Sequence, residues 1–142
     1  MNCISLKADM ANLPIFLEFL NQFISKRPFP SNRIKELEIA AEEALVNIIR
    51  YAYPEGEPGD VHLSLAEKDG QRIEIEFRDS GIPFDPTSRK EPDIRLAISE
   101  REIGGLGILL IKRIADGISY RREAGQNILT LSADAPEGNQ KG

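Results

Sequence analysis

Residues 61 to 79, VHLSLAEKDGQRIEIEFRD, constrain the fold more than any other stretch of this chain. Two runs, VHLSLAEK and RIEIEFRD, alternate apolar and polar residues, and Asp69-Gly70 lies between them. Alternation at period two marks a strand with one buried face, and Asp-Gly between two such runs is a strong hairpin signal. GISYRRE and NILTLSA repeat the plan near the C-terminus, with AGQ as the turn, and NCISLKA reads as a first strand. Two hairpins imply a mainly antiparallel, mixed sheet, which needs a cover on its apolar face.

Helical segments supply that cover. In NLPIFLEFLNQFISKR, Leu13, Phe16, Leu17, Leu20, Phe23 and Ile24 recur at three and four, with Pro14 suited to the first turn. PFPSN breaks this helix, and Ser31 or Asn32 is expected to cap a second one over about 32 to 53. Its core stripe is Ile34, Leu37, Ala41, Leu45 and Ile48. PEGEPGD then forms a loop, and GGLGILLIKRIAD opens a third helix on a glycine run. The order β-α-α-β-β-loop-α-β-β predicts an α+β two-layer sandwich with three helices on one face. Residues 1–135 are expected to form one domain and 136–142 a flexible tail. At 142 residues, a single domain can bury roughly 70% of its unfolded surface.

Several classes of function are disfavoured at once. The net charge of −5 argues against phosphate-backbone binding. No apolar run approaches the ~20 residues of a membrane span. The opening MNCISLKADM lacks the basic-then-apolar plan of a signal peptide, and Cys3 is the only cysteine, so a cytoplasmic location is expected. His62 is the only histidine, which excludes a multi-histidine metal site.

Three stretches invite a chemical reading. In EEALVNIIRYAY, Glu43 and Asn47 are four apart and share a helical face, whereas Glu42 points about 100° away from Glu43. Alone, this stretch reads first as ordinary helix surface. DSGIPFDP, residues 79–86, opens a long segment to residue 103 that contains three prolines and many charges, and loops this long are usually lids or disordered. GGLG at 104–107 sits where free N–H groups and the helix dipole favour an anion. It fits neither the Walker A pattern nor the dinucleotide fingerprint, which would need a third glycine at Leu110. His-Arg-Asp and Asp-Phe-Gly are absent as well. Alone, these glycines equally suit close helix packing.

Taken together and in this order, EEALVN, DSGIPFDP and GGLGI resemble the asparagine box and the two glycine boxes of the Bergerat-fold (GHKL, histidine-kinase-like) ATPases, the superfamily of gyrase, histidine kinases and MutL. NIIRYAYPEG, D-x-G-x-P-F-D-P and GGLGILLIKRIAD narrow the resemblance to the anti-sigma factor serine/threonine kinases of the RsbW and SpoIIAB type, over roughly residues 3 to 132. The resemblance implies ATP and Mg²⁺ as cofactors, Glu43 as general base and Asn47 as the magnesium ligand. Asp79 would accept from the adenine amine, and Gly81 would let the backbone approach the base. Pro83, where relatives often carry a second glycine, would border the nucleotide, and Phe84 and Pro86 would wall the pocket. Gly104, Gly105, Leu106 and Gly107 would offer backbone N–H groups to phosphates, beneath a lid over 87–103. Some relatives carry a basic residue where this chain has Ile103, and Arg101 is the candidate substitute. Tyr51 stands where several relatives have histidine.

The implied activity is transfer of the γ-phosphoryl of ATP to a serine or threonine of a STAS-domain anti-anti-sigma protein, coupled to sequestration of a sigma factor. A homodimer is expected, with no direct nucleic acid and no membrane as partner. The alternatives are an ATP-binding partner-switching module without catalysis, a detached histidine-kinase domain, and an interaction domain with no nucleotide.

Overall fold

A computed structural model describes residues 2–54, 56–69, 71–83 and 105–136, with the side chains of 105–108 excepted. Five strands form one sheet: β1 (Asn2–Lys7), β2 (Asp60–Lys68), β3 (Arg72–Asp79), β4 (Gly117–Glu123) and β5 (Gln126–Asp134), in the spatial order β1-β2-β3-β5-β4. Every pairing is antiparallel. Three helices accompany it: α1 (Leu13–Ile24), α2 (Ser31–Tyr51) and α3 (Gly105–Ile114). A short 3₁₀ turn, Met10–Asn12, leads into α1, capped by the Asp9 carboxylate.

Strand parity places the core. Val61, Leu63 and Leu65 of β2, Ile73, Ile75 and Phe77 of β3, and Leu129, Leu131 and Ala133 of β5 are all buried on one face. Phe16, Leu20 and Ile24 of α1 and Leu37, Ala41 and Leu45 of α2 close over them. Small residues at 40, 41 and 44 let α2 lie close to its neighbours, and it packs against α1, α3 and β3. The other face of the sheet is mostly polar, with Ser64, Glu74, Glu76, Arg78 and Thr130 half-buried along its middle strands and Ile128 buried among them. His62 lies on that face, hydrogen-bonded to Ser5 of β1.

The start of α2 differs from the expected cap. Pro30, in extended conformation, holds the N-cap position, and no side chain caps the helix. Its carbonyl instead accepts from the N–H groups of Arg33 and Ile34, and Ser31 is the first helical residue. Proline's fixed φ suits the entry to a helix and takes the cap from Ser31 or Asn32 by starting it one residue early. The helix ends at Tyr51 rather than near 53, with Ala52 as its C-cap.

The hairpins differ in their turns. Lys68 pairs with Arg72, so the β2–β3 connection has three residues and Asp69 takes a positive φ of 55°. The β4–β5 connection is the tighter one: Glu123 pairs with Gln126, and both loop residues, Ala124 (φ 53°) and Gly125 (φ 79°), are left-handed. A two-residue loop with both residues at positive φ matches the twist of its strands, but an alanine there carries the Cβ penalty that asparagine and glycine avoid. Ala124→Asn is therefore expected to raise stability by about 0.5–1 kcal/mol, or ~2–4 °C in midpoint. Thermal unfolding checks it, and a lowered midpoint would contradict the strain assigned to Ala124.

Candidate functional site

Parity explains how β3 ends. Residues 73, 75 and 77 face the helices, so Asp79 points its carboxylate into the same layer and is only 3% exposed. A carboxylate there needs donors, since an unpartnered buried charge is costly. Gly81 N donates to Asp79 Oδ1 at 2.8 Å and Asn127 Nδ2 donates to the same oxygen at 3.0 Å. Burial nonetheless raises the pKa of Asp79 above its ordinary value, against the lowering effects of Asn127, the Gly81 N–H and the Arg122 charge.

The turn after Asp79 is tied to the end of α2. Ile82 N donates to the Ala52 carbonyl at 2.9 Å. A Cβ at Gly81 would fall on that same carbonyl, far inside van der Waals contact, so only glycine permits this approach. Tyr53 adds a second tie: its hydroxyl accepts from Ser80 N and donates to the Asp60 carbonyl, each at 2.8 Å. Burial pushes its pKa up, with the Asp79 and Asp60 charges adding to the rise, so the phenol keeps its proton for that bond. Pro83 is exposed beyond the turn.

Asn47 lies on α2 five residues before Ala52, about 7.5 Å of helix rise. It is 6% exposed, and its amide nitrogen has no hydrogen-bond partner among the described residues. A buried amide with an orphaned donor is uncommon in a folded interior. Glu43, one turn earlier, is half-buried, while Glu42 is exposed. The carboxylate and carboxamide at 43 and 47 thus lie on the less exposed side of α2, where the helix-surface reading would leave both in solvent.

Helix α3 approaches from the other side. Arg113 and Ile114 at its end line a cleft together with Asn32, Arg33 and Glu36 at the start of α2. The two helices pack against each other, so α3 runs back along α2. Gly105, Leu106 and Gly107 form its first turn, where N–H groups lack helical acceptors. Phe84, Pro86, Arg101 and Gly104, and the lid over 87–103, lie outside the described residues.

Asn127, Arg122 and Tyr53 do not appear among the residues singled out from the sequence, yet they frame Asp79. One signal was present for Asn127: it has the inward parity of Leu129 and Leu131, and is a polar residue on an apolar face. Arg122 and Tyr53 have no such mark, because their partners are set by strand pairing and by the chain path after α2.

Comparison with known proteins gives a consistent result. Residues 6–133 match the family described as histidine kinase-like ATPase domain. The serine/threonine-protein kinase BtrW of Bordetella bronchiseptica is 33% identical over 102 residues, covering 71% of each chain. The serine-protein kinase RsbW of Listeria monocytogenes is 28% identical over 115 residues, covering 78% of this chain and 72% of that one. Among solved structures, the RsbU and RsbW domains of a Mycobacterium tuberculosis protein superpose with a TM-score of 0.64 at 13% identity. They cover 94% of this chain, which spans only 32% of theirs. The SiaB–SiaC complex of Pseudomonas aeruginosa gives a TM-score of 0.57 at 13% identity, covering 92% of this chain and 88% of that one. These two likenesses concern the fold.

Proposed function

The chain belongs to the histidine kinase-like ATPase domain family, and from that premise we propose that it is an ATP-dependent protein serine/threonine kinase acting as an anti-sigma regulatory factor. The observation that carries the nucleotide part is the buried Asp79 carboxylate, with one oxygen held by two N–H donors beside a glycine turn. The other oxygen of such a carboxylate is suited to accept from the exocyclic amine of adenine.

The residues present fit Mg-ATP. Asn47 offers a buried carboxamide whose nitrogen has no partner among the described residues, and its oxygen would be the metal ligand. A neutral oxygen suits a hard cation that keeps waters and phosphate oxygens as its other ligands. Bound Mg²⁺ would neutralise charge on the phosphates. The N–H groups of Gly105, Leu106 and Gly107 would hold those phosphates at the start of α3, with Gly104 and Arg101 beside them, while Pro83 and Phe84 would border the base. Glu43 would take the proton from the attacking hydroxyl as its oxygen bonds to the γ-phosphorus and ADP leaves.

The same proposal includes partners. The phosphoryl acceptor is a serine or threonine on a STAS-domain anti-anti-sigma protein, and the sequestered partner is a sigma factor, with the kinase a homodimer in the cytoplasm. Support comes from the kinase names of the relatives and from a fold shared with a solved partner complex. Among the described residues no helix is long and apolar enough to cross a membrane.

The test is transfer of labelled γ-phosphate to the cognate anti-anti-sigma protein, with the product typed by acid stability. Acid-stable phosphoserine or phosphothreonine is the expected result. Tight Mg-ATP binding with no transfer to a confirmed partner would leave a non-catalytic switching module, and acid-labile phosphohistidine would overturn the serine/threonine assignment.

A further inference from the structure

We propose that Asn127 and Arg122, brought by the β4–β5 hairpin, are positioning residues that fix the Asp79 carboxylate and the turn after it for base recognition; this rests on the nucleotide reading above. Asn127 is 6% exposed, and its amide is fully engaged within the protein. Its nitrogen donates to Asp79 Oδ1 at 3.0 Å and to the Ile82 carbonyl at 2.8 Å. Its oxygen accepts from the Tyr120 hydroxyl and from Arg122 Nη1, the latter at 3.0 Å. Two N–H groups and two lone pairs are all that a carboxamide has. Asn127 thus has nothing left to offer a base and acts through Asp79.

Arg122 continues the arrangement. The same Nη1 donates to the Gly81 carbonyl at 2.8 Å, while Gly81 N donates to Asp79. The turn is therefore gripped at the Gly81 and Ile82 carbonyls by the hairpin and at the Ile82 N–H by the end of α2. Among the described residues the carboxylate is held through Oδ1 alone, so Oδ2 is left as the acceptor for a ligand. Register produces the alignment: Asp79 pairs with Asn127, and Asn127 pairs with Arg122. Asparagine suits the middle place because it donates to a carboxylate and accepts from an arginine in one rigid plane.

Asn127→Asp gives a test that simple loss of packing would not mimic. Among the described residues, the charged and titratable groups facing Asp79 are Arg122 and Tyr120 on β4 and Tyr53 past α2, with Asp60 beyond Tyr53. In the wild type, Mg-ATP affinity should fall as pH drops and Asp79 takes a proton. In the variant two carboxyl groups face each other across a hydrogen-bond distance and cannot both ionise without repulsion. Calorimetric titration at pH 8 should show affinity roughly 10- to 100-fold below wild type. Acidification should shrink that gap, because one shared proton restores the donor to Asp79. The variant's affinity relative to wild type therefore rises as pH falls. A pH-independent loss, or no loss, would overturn the role given to Asn127.

Arg122→Met covers the case in which the first variant fails to fold. Adenosine, ADP and ATP should all bind it roughly 3- to 10-fold more weakly, with partial recovery in Arg122→Lys. Wild-type affinity in Arg122→Met would overturn the role given to Arg122. A wild-type chain that does not bind Mg-ATP would instead overturn the nucleotide reading itself.

Discussion

Replacing Glu43 with alanine is expected to slow phosphoryl transfer roughly 10²- to 10⁴-fold, the usual contribution of a positioned general base. ATP affinity should change little, because the base acts on the acceptor hydroxyl and not on the bound nucleotide. The fold should survive, since Glu43 is only half-buried and alanine is the best helix former. Glu42→Ala is the internal control: its side chain is exposed on the same turn and its loss should leave the rate within about twofold, as for other surface changes away from a site. Single-turnover transfer with saturating Mg-ATP reads the chemical step directly. Equal rates for wild type and Glu43→Ala would remove Glu43 from the mechanism, and a matching loss in Glu42→Ala would move the base by one residue.

Asp79→Asn should separate binding from stability. The new amide oxygen can still accept from Gly81 and Asn127, but the other end of the side chain now presents N–H groups to the adenine amine, donor against donor. Losing a charge-assisted bond and leaving donors unpaired should weaken ATP binding roughly 10- to 100-fold. Stability should move the other way. The folded-state pKa of Asp79 is raised, chiefly by burial. The protonated form is thus favoured by folding, and its contribution is present at acid pH and lost as pH rises through the folded value. At neutral pH the ionised carboxylate is a cost, and asparagine removes it. Thermal unfolding of the nucleotide-free protein at pH 7.5 should give a midpoint no lower than wild type, with the difference shrinking toward acid. A marked drop would mean that Asp79 supports the fold.

Much of this architecture is legible along the chain because its determinants are local. Strand parity in VHLSLAEK and RIEIEFRD marks which side chains enter the core, and helix periodicity in LPIFLEFLNQFI does the same for α1. The Asp79 and Gly81 pair is visible because a turn motif follows a strand directly. Asn47 is half legible: it lies three residues after the buried Ala44, on the inward stripe of α2, but spacing alone does not reveal its orphaned nitrogen. The grip of Asn127 and Arg122 on the turn is not legible, since it depends on the register of β3 against β5. The helix start at Pro30 was obscured by two good capping residues just after it.

The pairing that aligns Asp79 with Asn127 joins residues 48 apart in sequence, whereas each hairpin closes over a few residues. Long-range ladders form late, because their loop-closure entropy comes before any contact is gained. A chain with both hairpins and all its helices formed, but with β3 and β5 still apart, would have a glycine-started helix and no carboxylate set for a base. On the proposed nucleotide reading, Mg-ATP would select the fully assembled sheet over every partly built form, and its binding would add to the free energy holding the two hairpins together.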